Sequence, residues 1–129
     1  MRVLAVDPGD ARIGIAISDP LAVIARPLMV IEHVSREDDA ARILQLAEEH
    51  YVSTILVGLP LDEDGEIGPQ ARKSMRLVEE LRRQSKFEVL PWDESSSTKL
   101  AEAMRKDDEM LDARAAAVFL QDYLNVQAA

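Results

Sequence analysis

MRVLAVDPGDARIGIAISD, the stretch from Met1 to Asp19, decides the fold. Val3, Leu4, Ala5 and Val6 form a short, apolar, partly β-branched run that reads as a strand buried on both faces. The run delivers Asp7, and Pro8-Gly9 breaks it. Ile13, Ile15 and Ile17 then alternate with Gly14, Ala16 and Ser18, which makes a second strand with one bulky face and one small face. The small face leaves room for a helix or another backbone to come close. Only about five residues join the two runs, so the simplest pairing is an antiparallel hairpin. A carboxylate at the exit of a central strand is costly to bury unless it is paired or holds a cation.

At 129 residues the chain suits one domain, 1–129, with a sizeable core. Its 47% apolar and 30% charged content is that of a globular protein, which excludes a disordered or collagenous class. No apolar run approaches the ~20 residues of a membrane span. Arg2 is followed by only four apolar residues before Asp7, so no secretory leader is read here. The absence of cysteine excludes disulfides, thiolate catalysis and cysteine-based zinc sites, and fits a reducing cytoplasm. The net charge of −9 runs against the basic footprint usual in nucleic-acid binders, so charge has to be followed segment by segment.

Beyond the hairpin, Leu21 to Ile31 reads as a third strand, with Pro27 placing it at an edge or a bulge. Ser35 and Asp38 form a capping-box pattern that opens a helix, with Ala40, Ile43, Leu44 and Ala47 repeating at helical spacing to about His50. Ser53 to Val57 is a buried strand stopped by Gly58-Leu59-Pro60. The acidic segment Leu61 to Gly68 is a loop long enough to move or close over something, and Pro69 suits the first turn of the next helix. That helix has Ala71, Met75, Val78 and Leu81 on its apolar face. Phe87 to Trp92 is a fifth strand, with Pro91 pointing to an edge. Ser95 to Thr98 supply caps for a helix carrying Leu100, Ala101 and Met104. A last helix holds Ala113, Ala116, Ala117, Leu120 and Leu124 and frays after Asn125. The order βββαβαβαα predicts an α/β fold: a five-stranded mixed sheet, one strand antiparallel, with helices on both faces.

Ligand sites in such sheets lie beyond the carboxyl ends of the parallel strands. Asp7 and Glu94 each follow a strand of the parallel set, so both are expected at that edge. Asp112 shares a helix face with Ala116, Phe119, Leu120 and Tyr123, the face expected to meet the sheet. Three converging carboxylates suit one or two hard divalent cations, Mg²⁺ or Mn²⁺. Such ions activate water and stabilise the leaving oxygen in phosphodiester cleavage. Taken singly, each acid also has a structural account. Asp7 can cap the Pro8-Gly9 turn, Glu94 can be a solvated first-turn helix acid, and Asp112 can be an N-cap.

Arg72, Lys73, Arg76, Arg82 and Arg83 make the helix from Pro69 the most basic stretch. Arg72, Lys73 and Arg76, with Arg12, are the candidate phosphate contacts, against the alternative of a solvated face paired with Glu79 and Glu80. His33 and His50 have no metal-spaced partner and read as surface residues. Trp92, Phe87 and Phe119 read as core.

The chain resembles the YqgF or RuvX family in four segments. These are DPGDARIGIAISD at 7–19, VGLPLDEDGEIGPQA at 57–71, WDESSST at 92–98 and LDARAAAVFLQDYL at 111–124. The resemblance implies an RNase H-like domain and places Asp7, Glu94 and Asp112 on the family's three acidic positions. It implies a metal-dependent nuclease acting on structured RNA or branched DNA, with trimming of the pre-16S ribosomal RNA 5′ end favoured. Holliday junction resolution is the alternative and requires a symmetric homodimer to cut two strands. A non-catalytic nucleic-acid-binding module of the same fold is the third reading. Two departures stand out. Ser95 replaces the arginine usual after the acid, and Asp93 to Asp112 carries seven acids against three bases, a local net charge of −4.

Overall fold

The computed structural model describes residues 1–62, 64–94 and 109–129. Its centre is the expected hairpin, β1 (Arg2–Pro8) and β2 (Arg12–Ser18), with Leu4 opposite Ile17, Val6 opposite Ile15 and Asp7 opposite Gly14. The hairpin closes through the Gly9 N–H, which donates to the Arg12 carbonyl at 3.0 Å. β3 (Ala25–Glu32) pairs antiparallel with β2, while β4 (Val52–Leu59) pairs parallel with β1, and β5 (Glu88–Asp93) parallel with β4. The sheet order is β3-β2-β1-β4-β5, and β2 alone runs against the others.

Alternation along the strands sorts the core into two layers. Leu4, Val6, Ile13, Ile15, Ile17, Ile55 and Val57 face α1 (Arg36–Glu49) and α2 (Pro69–Gln84). Val3, Ala5, Ala16 and Leu56 face α3 (Leu111–Ala128), which packs Ala116, Phe119, Leu120 and Leu124 against them. The small residues of β2 serve the purpose their pattern suggested. A side chain on Gly14 would stand 2.0 Å from the Asp112 carbonyl oxygen, so the first turn of α3 rests on bare backbone there. Gln121 locks the register of α3. Its side-chain oxygen accepts from Ala25 N–H and its amide donates to the Val23 carbonyl, each at 2.9 Å.

Several boundaries differ from the sequence expectation. Leu21 to Ile24 is not strand, because the Asp19 carboxylate captures the Val23 and Ile24 amides at 2.7 and 2.8 Å and turns the chain through Ala22 at φ 57°. β3 begins at Ala25, lies at the edge, and carries its irregularity beside Pro27, as a proline in a strand requires. β4 does not stop at Gly58 but continues to Leu59, with Gly58 paired to Trp92. On α2, Ser74 and Leu77 are buried and Met75 is only half-buried. α3 runs on to Ala128. Pro91 does sit on an edge strand, and Ser35 caps α1, accepting from Asp38 N–H at 3.1 Å. The helix expected around Leu100, Ala101 and Met104, its caps Ser95 to Thr98, and Lys106 to Asp108 lie outside the described residues. No helix among the described residues is long and apolar enough to cross a membrane.

Candidate active site

The parallel strands β1, β4 and β5 end at one edge of the sheet, and strand parity decides what meets there. Asp7 follows Val3 and Ala5 onto the α3 face, Gly58 follows Leu56, and Glu94 follows Leu90 and Trp92. The Glu94 N–H extends the ladder by donating to the Leu59 carbonyl at 3.1 Å. The Glu94 side chain thus turns inward rather than into solvent and is 7% exposed. It occupies the space left by Gly58, where a Cβ would lie 2.2 Å from Glu94 Oε2 and 3.0 Å from Phe119 Cε2.

Asp7 and Glu94 share a hydrogen bond. Burial pushes the Asp7 carboxyl up to about 6, the bond with Glu94 draws it back, and the Asp112 charge raises it further. Glu94 is raised to about 9, first by burial, then by the Asp7 charge, by donating its proton to Asp7, and by the Asp93 charge. At neutral pH the arrangement is therefore a Glu94 acid donating to an Asp7 carboxylate. Neither residue keeps its alternative structural account: Glu94 is not a solvated helix acid, and the β1–β2 turn is closed by backbone.

Asp112 comes near this pair through the Gly14 contact, close enough for its charge to act on Asp7. It is not the N-cap of α3; Met110 is, without a side-chain cap bond. Its carboxylate instead makes an ion pair with Arg12 Nε at 3.2 Å across the hairpin. Among the described residues no three His, Asp or Glu side chains stand close enough to share one ion. The structure thus brings Asp7 and Glu94 into contact and holds Asp112 beside them, turned toward Arg12.

The basic candidates do not gather at the carboxyl pair. Arg12 is on Asp112, Lys73 pairs with Asp10 at 3.2 Å, and Arg72 and Arg76 are exposed on α2. Arg82 is structural, donating to the Val89 carbonyl at 3.1 Å through Nε, and Arg83 pairs with Glu80. His33 is exposed, as expected of a surface residue, but it has a partner. Its Nδ1 bonds the buried Asp39 carboxylate, which also accepts from Val34 N–H at 3.0 Å. One site residue escaped sequence reading, Gly58, taken there only as a strand breaker. Its signal is a glycine inside a strand, which marks a close approach.

The family model described as RuvX, Holliday junction resolvase, matches residues 1–126. A protein of Thermoanaerobacter pseudethanolicus named "Putative pre-16S rRNA nuclease" is 39% identical over 98% of both chains. One from Anaeromyxobacter sp. with the same name is 41% identical over 97% of both. Among solved structures, Thermus thermophilus RuvC in complex with a Holliday junction substrate superposes with a TM-score of 0.61 at 16% identity, covering 100% of this chain and 96% of that one. The fowlpox virus Holliday junction resolvase gives 0.60 at 14% identity over 98% and 99%. These two likenesses concern the fold. With a family match over nearly the whole length and relatives of this identity, the chain belongs to the RuvX family.

Proposed function

We propose that this nuclease is metal-dependent and hydrolyses phosphodiester bonds in structured nucleic acid, with the 5′ end of pre-16S ribosomal RNA as its substrate and the cytoplasm as its place of action. The observation that carries the reading is the Asp7–Glu94 carboxyl pair at the carboxyl edge of the parallel strands, Asp7 half-buried and Glu94 buried in a recess kept open by Gly58. The names of the relatives supply the substrate.

The donor set fits a hard divalent cation such as Mg²⁺ or Mn²⁺. Two carboxyls pressed together and partly withdrawn from water share one proton at neutral pH, and a cation in its place would satisfy both. Asp7 and Glu94 would hold the ion, and Asp112 would complete the set once Arg12 leaves it. Bound there, the ion supplies an activated water and charge neutralisation on the leaving oxygen. The protein's own part is then definable. Asp7 is fixed by its place in the sheet, Glu94 gives up its proton, and the freed Arg12 guanidinium, exposed at the site's rim, receives the substrate phosphate.

A second reading, resolution of four-way DNA junctions by a homodimer, is favoured by the family description. One assay separates the two. Labelled RNA carrying the precursor 5′ end and a four-way DNA junction are each incubated with Mn²⁺, Mg²⁺ or chelator, using wild type and Asp7→Asn. Metal-dependent cutting of the RNA, lost in Asp7→Asn, is expected. Cutting of the junction alone supports the second reading. Binding without cutting by wild type overturns both in favour of a non-catalytic module.

A further inference from the structure

The far side of the β1–β2 hairpin tip carries a groove that the carboxylate pair does not use. Its volume is about 450 Å³, and Pro8, Gly9, His33, Arg36, Lys73 and Arg76 are among its lining residues. Asp7 and Pro8 are consecutive in β1, so their side chains leave the sheet on opposite faces. The groove lies on the α1/α2 side, the carboxylates on the α3 side, with only the hairpin tip between them.

Three cations from two helices converge on this groove in a protein of net charge −9. The two acids that also line it, Asp10 and Asp39, are already engaged. Asp39 is buried and accepts from His33 and the Val34 amide. Asp10 is held by Lys73 at 3.2 Å and by the Gln70 amide at 3.0 Å, and this holds its carboxyl below the usual range. The Lys73–Asp10 pair is exposed on both sides, so exchanging Asp10 for a phosphate loses little. Arg76 makes no ion pair among the described residues. Arg36 has only a distant electrostatic influence on Glu80.

We infer that this groove is a second phosphate site, in which Arg36, Lys73 and Arg76 hold a backbone phosphate of the nucleic acid whose scissile bond lies at Asp7 and Glu94. The inference rests on the nuclease reading for its ligand and adds the path: the strand crosses over the hairpin tip at Pro8 to Arg12. A guanidinium pair plus an ammonium matches the two non-bridging oxygens and diffuse charge of a backbone phosphate.

The test is fluorescence anisotropy in chelator, which removes any metal-bridged binding. The probes are a fluorescein-labelled RNA hairpin with a single-stranded 5′ extension and a four-way DNA junction. Wild type is compared with Arg36→Ala/Arg76→Ala and with Arg36→Lys/Arg76→Lys between 50 and 200 mM KCl. Both arginines are exposed, so melting temperatures are expected to match. The alanine pair is expected to raise Kd about tenfold or more and lower the slope of log K against log salt by about 1.5–2, as two lost phosphate contacts do. The lysine pair is expected to keep the slope. Displacement of the RNA by millimolar AMP assigns the groove to a terminal phosphate, and resistance to AMP assigns it to internal backbone phosphates. Wild-type Kd and slope in the alanine pair, or no salt-dependent binding by wild type, overturns the site. Asp7→Asn run in parallel separates the two claims: if it still cuts, the carboxylate reading fails while the groove is judged on binding alone.

Discussion

Gly58 and Glu94 compete for one volume: a Cβ on the glycine would stand 2.2 Å from Glu94 Oε2. The other neighbour of that Cβ, the Phe119 ring at 3.0 Å, belongs to the buried core and cannot retreat. Gly58→Ala therefore expels the Glu94 carboxyl from its recess. We expect a loss of roughly 1–3 kcal/mol in stability, as for other overpacked sites. Cleavage should fall roughly 100-fold, the scale of a misplaced catalytic group. Gly68→Ala is the control, since nothing lies within 4 Å of its Cβ and its φ is −87°. Equal turnover in wild type and Gly58→Ala would show that Glu94 need not occupy its recess.

The carboxyl pair makes the metal-free protein sensitive to alkali. Unfolded, Glu94 ionises near 4.5, whereas folded it keeps its proton to about 9. Asp7 is displaced in the same direction, from 3.8 to about 6. Across these intervals the folded state binds more protons than the unfolded one, so stability falls as pH rises. Melting temperature in chelator is expected to decline from pH 5 to pH 9, and Glu94→Gln should flatten the curve. At pH 8 that variant is expected to melt a few degrees higher than wild type while cutting nothing. A steeper alkaline loss in Glu94→Gln than in wild type would refute the assignment. Metal titrations should show proton release, and affinity should rise with pH, because the ion displaces the Glu94 proton.

Arg12 holds Asp112 at 3.2 Å with both side chains substantially solvent-exposed. Such pairs contribute about 0–1 kcal/mol. Arg12→Ala should leave the melting temperature nearly unchanged. If the guanidinium turns to the substrate phosphate, KM should rise several-fold with a smaller change in kcat, and metal affinity should not weaken. An unchanged KM would restrict Arg12 to its role on Asp112.

Tyr51 follows the His50 C-cap of α1 in the left-handed region, φ 56°, and is 88% exposed. Glycine is the residue that this helix-terminating position favours. Tyr51→Gly should stabilise by about 1 kcal/mol, roughly 4 °C, with catalysis unaffected. A lower melting temperature would mean that the ring packs in solution against something beyond its own fold.

The hairpin was legible because Ile13, Ile15 and Ile17 alternate strictly with smaller residues, and period alone identifies such a strand. The same rule misled at Leu21 to Ile24, where an apolar run carries no mark of the Asp19 carboxylate that folds it into a loop. Gly58 reads as a strand breaker in one dimension and as an opening for a carboxyl in three. Asp7 and Glu94 were expected to share an edge, since parallel strands end together. Their direct hydrogen bond was not, nor the burial of Glu94 within the polar run WDESSST. The Asp112–Arg12 pair was equally hidden, because it depends on where α3 rests on Gly14, a contact between residues almost a hundred positions apart.

Trp92 is the one tryptophan of the chain, and its ring meets Tyr123 edge-on, with 5.2 Å between centroids. It lies on β5 two positions before Glu94, and Tyr123 lies on α3, whose first turn holds Asp112. The molecule thus carries its own optical gauge across the two elements that bear these acids. Any ligand that draws α3 and β5 together or apart changes the indole's surroundings, so intrinsic emission can follow occupancy of the site in unlabelled protein, in real time and without turnover.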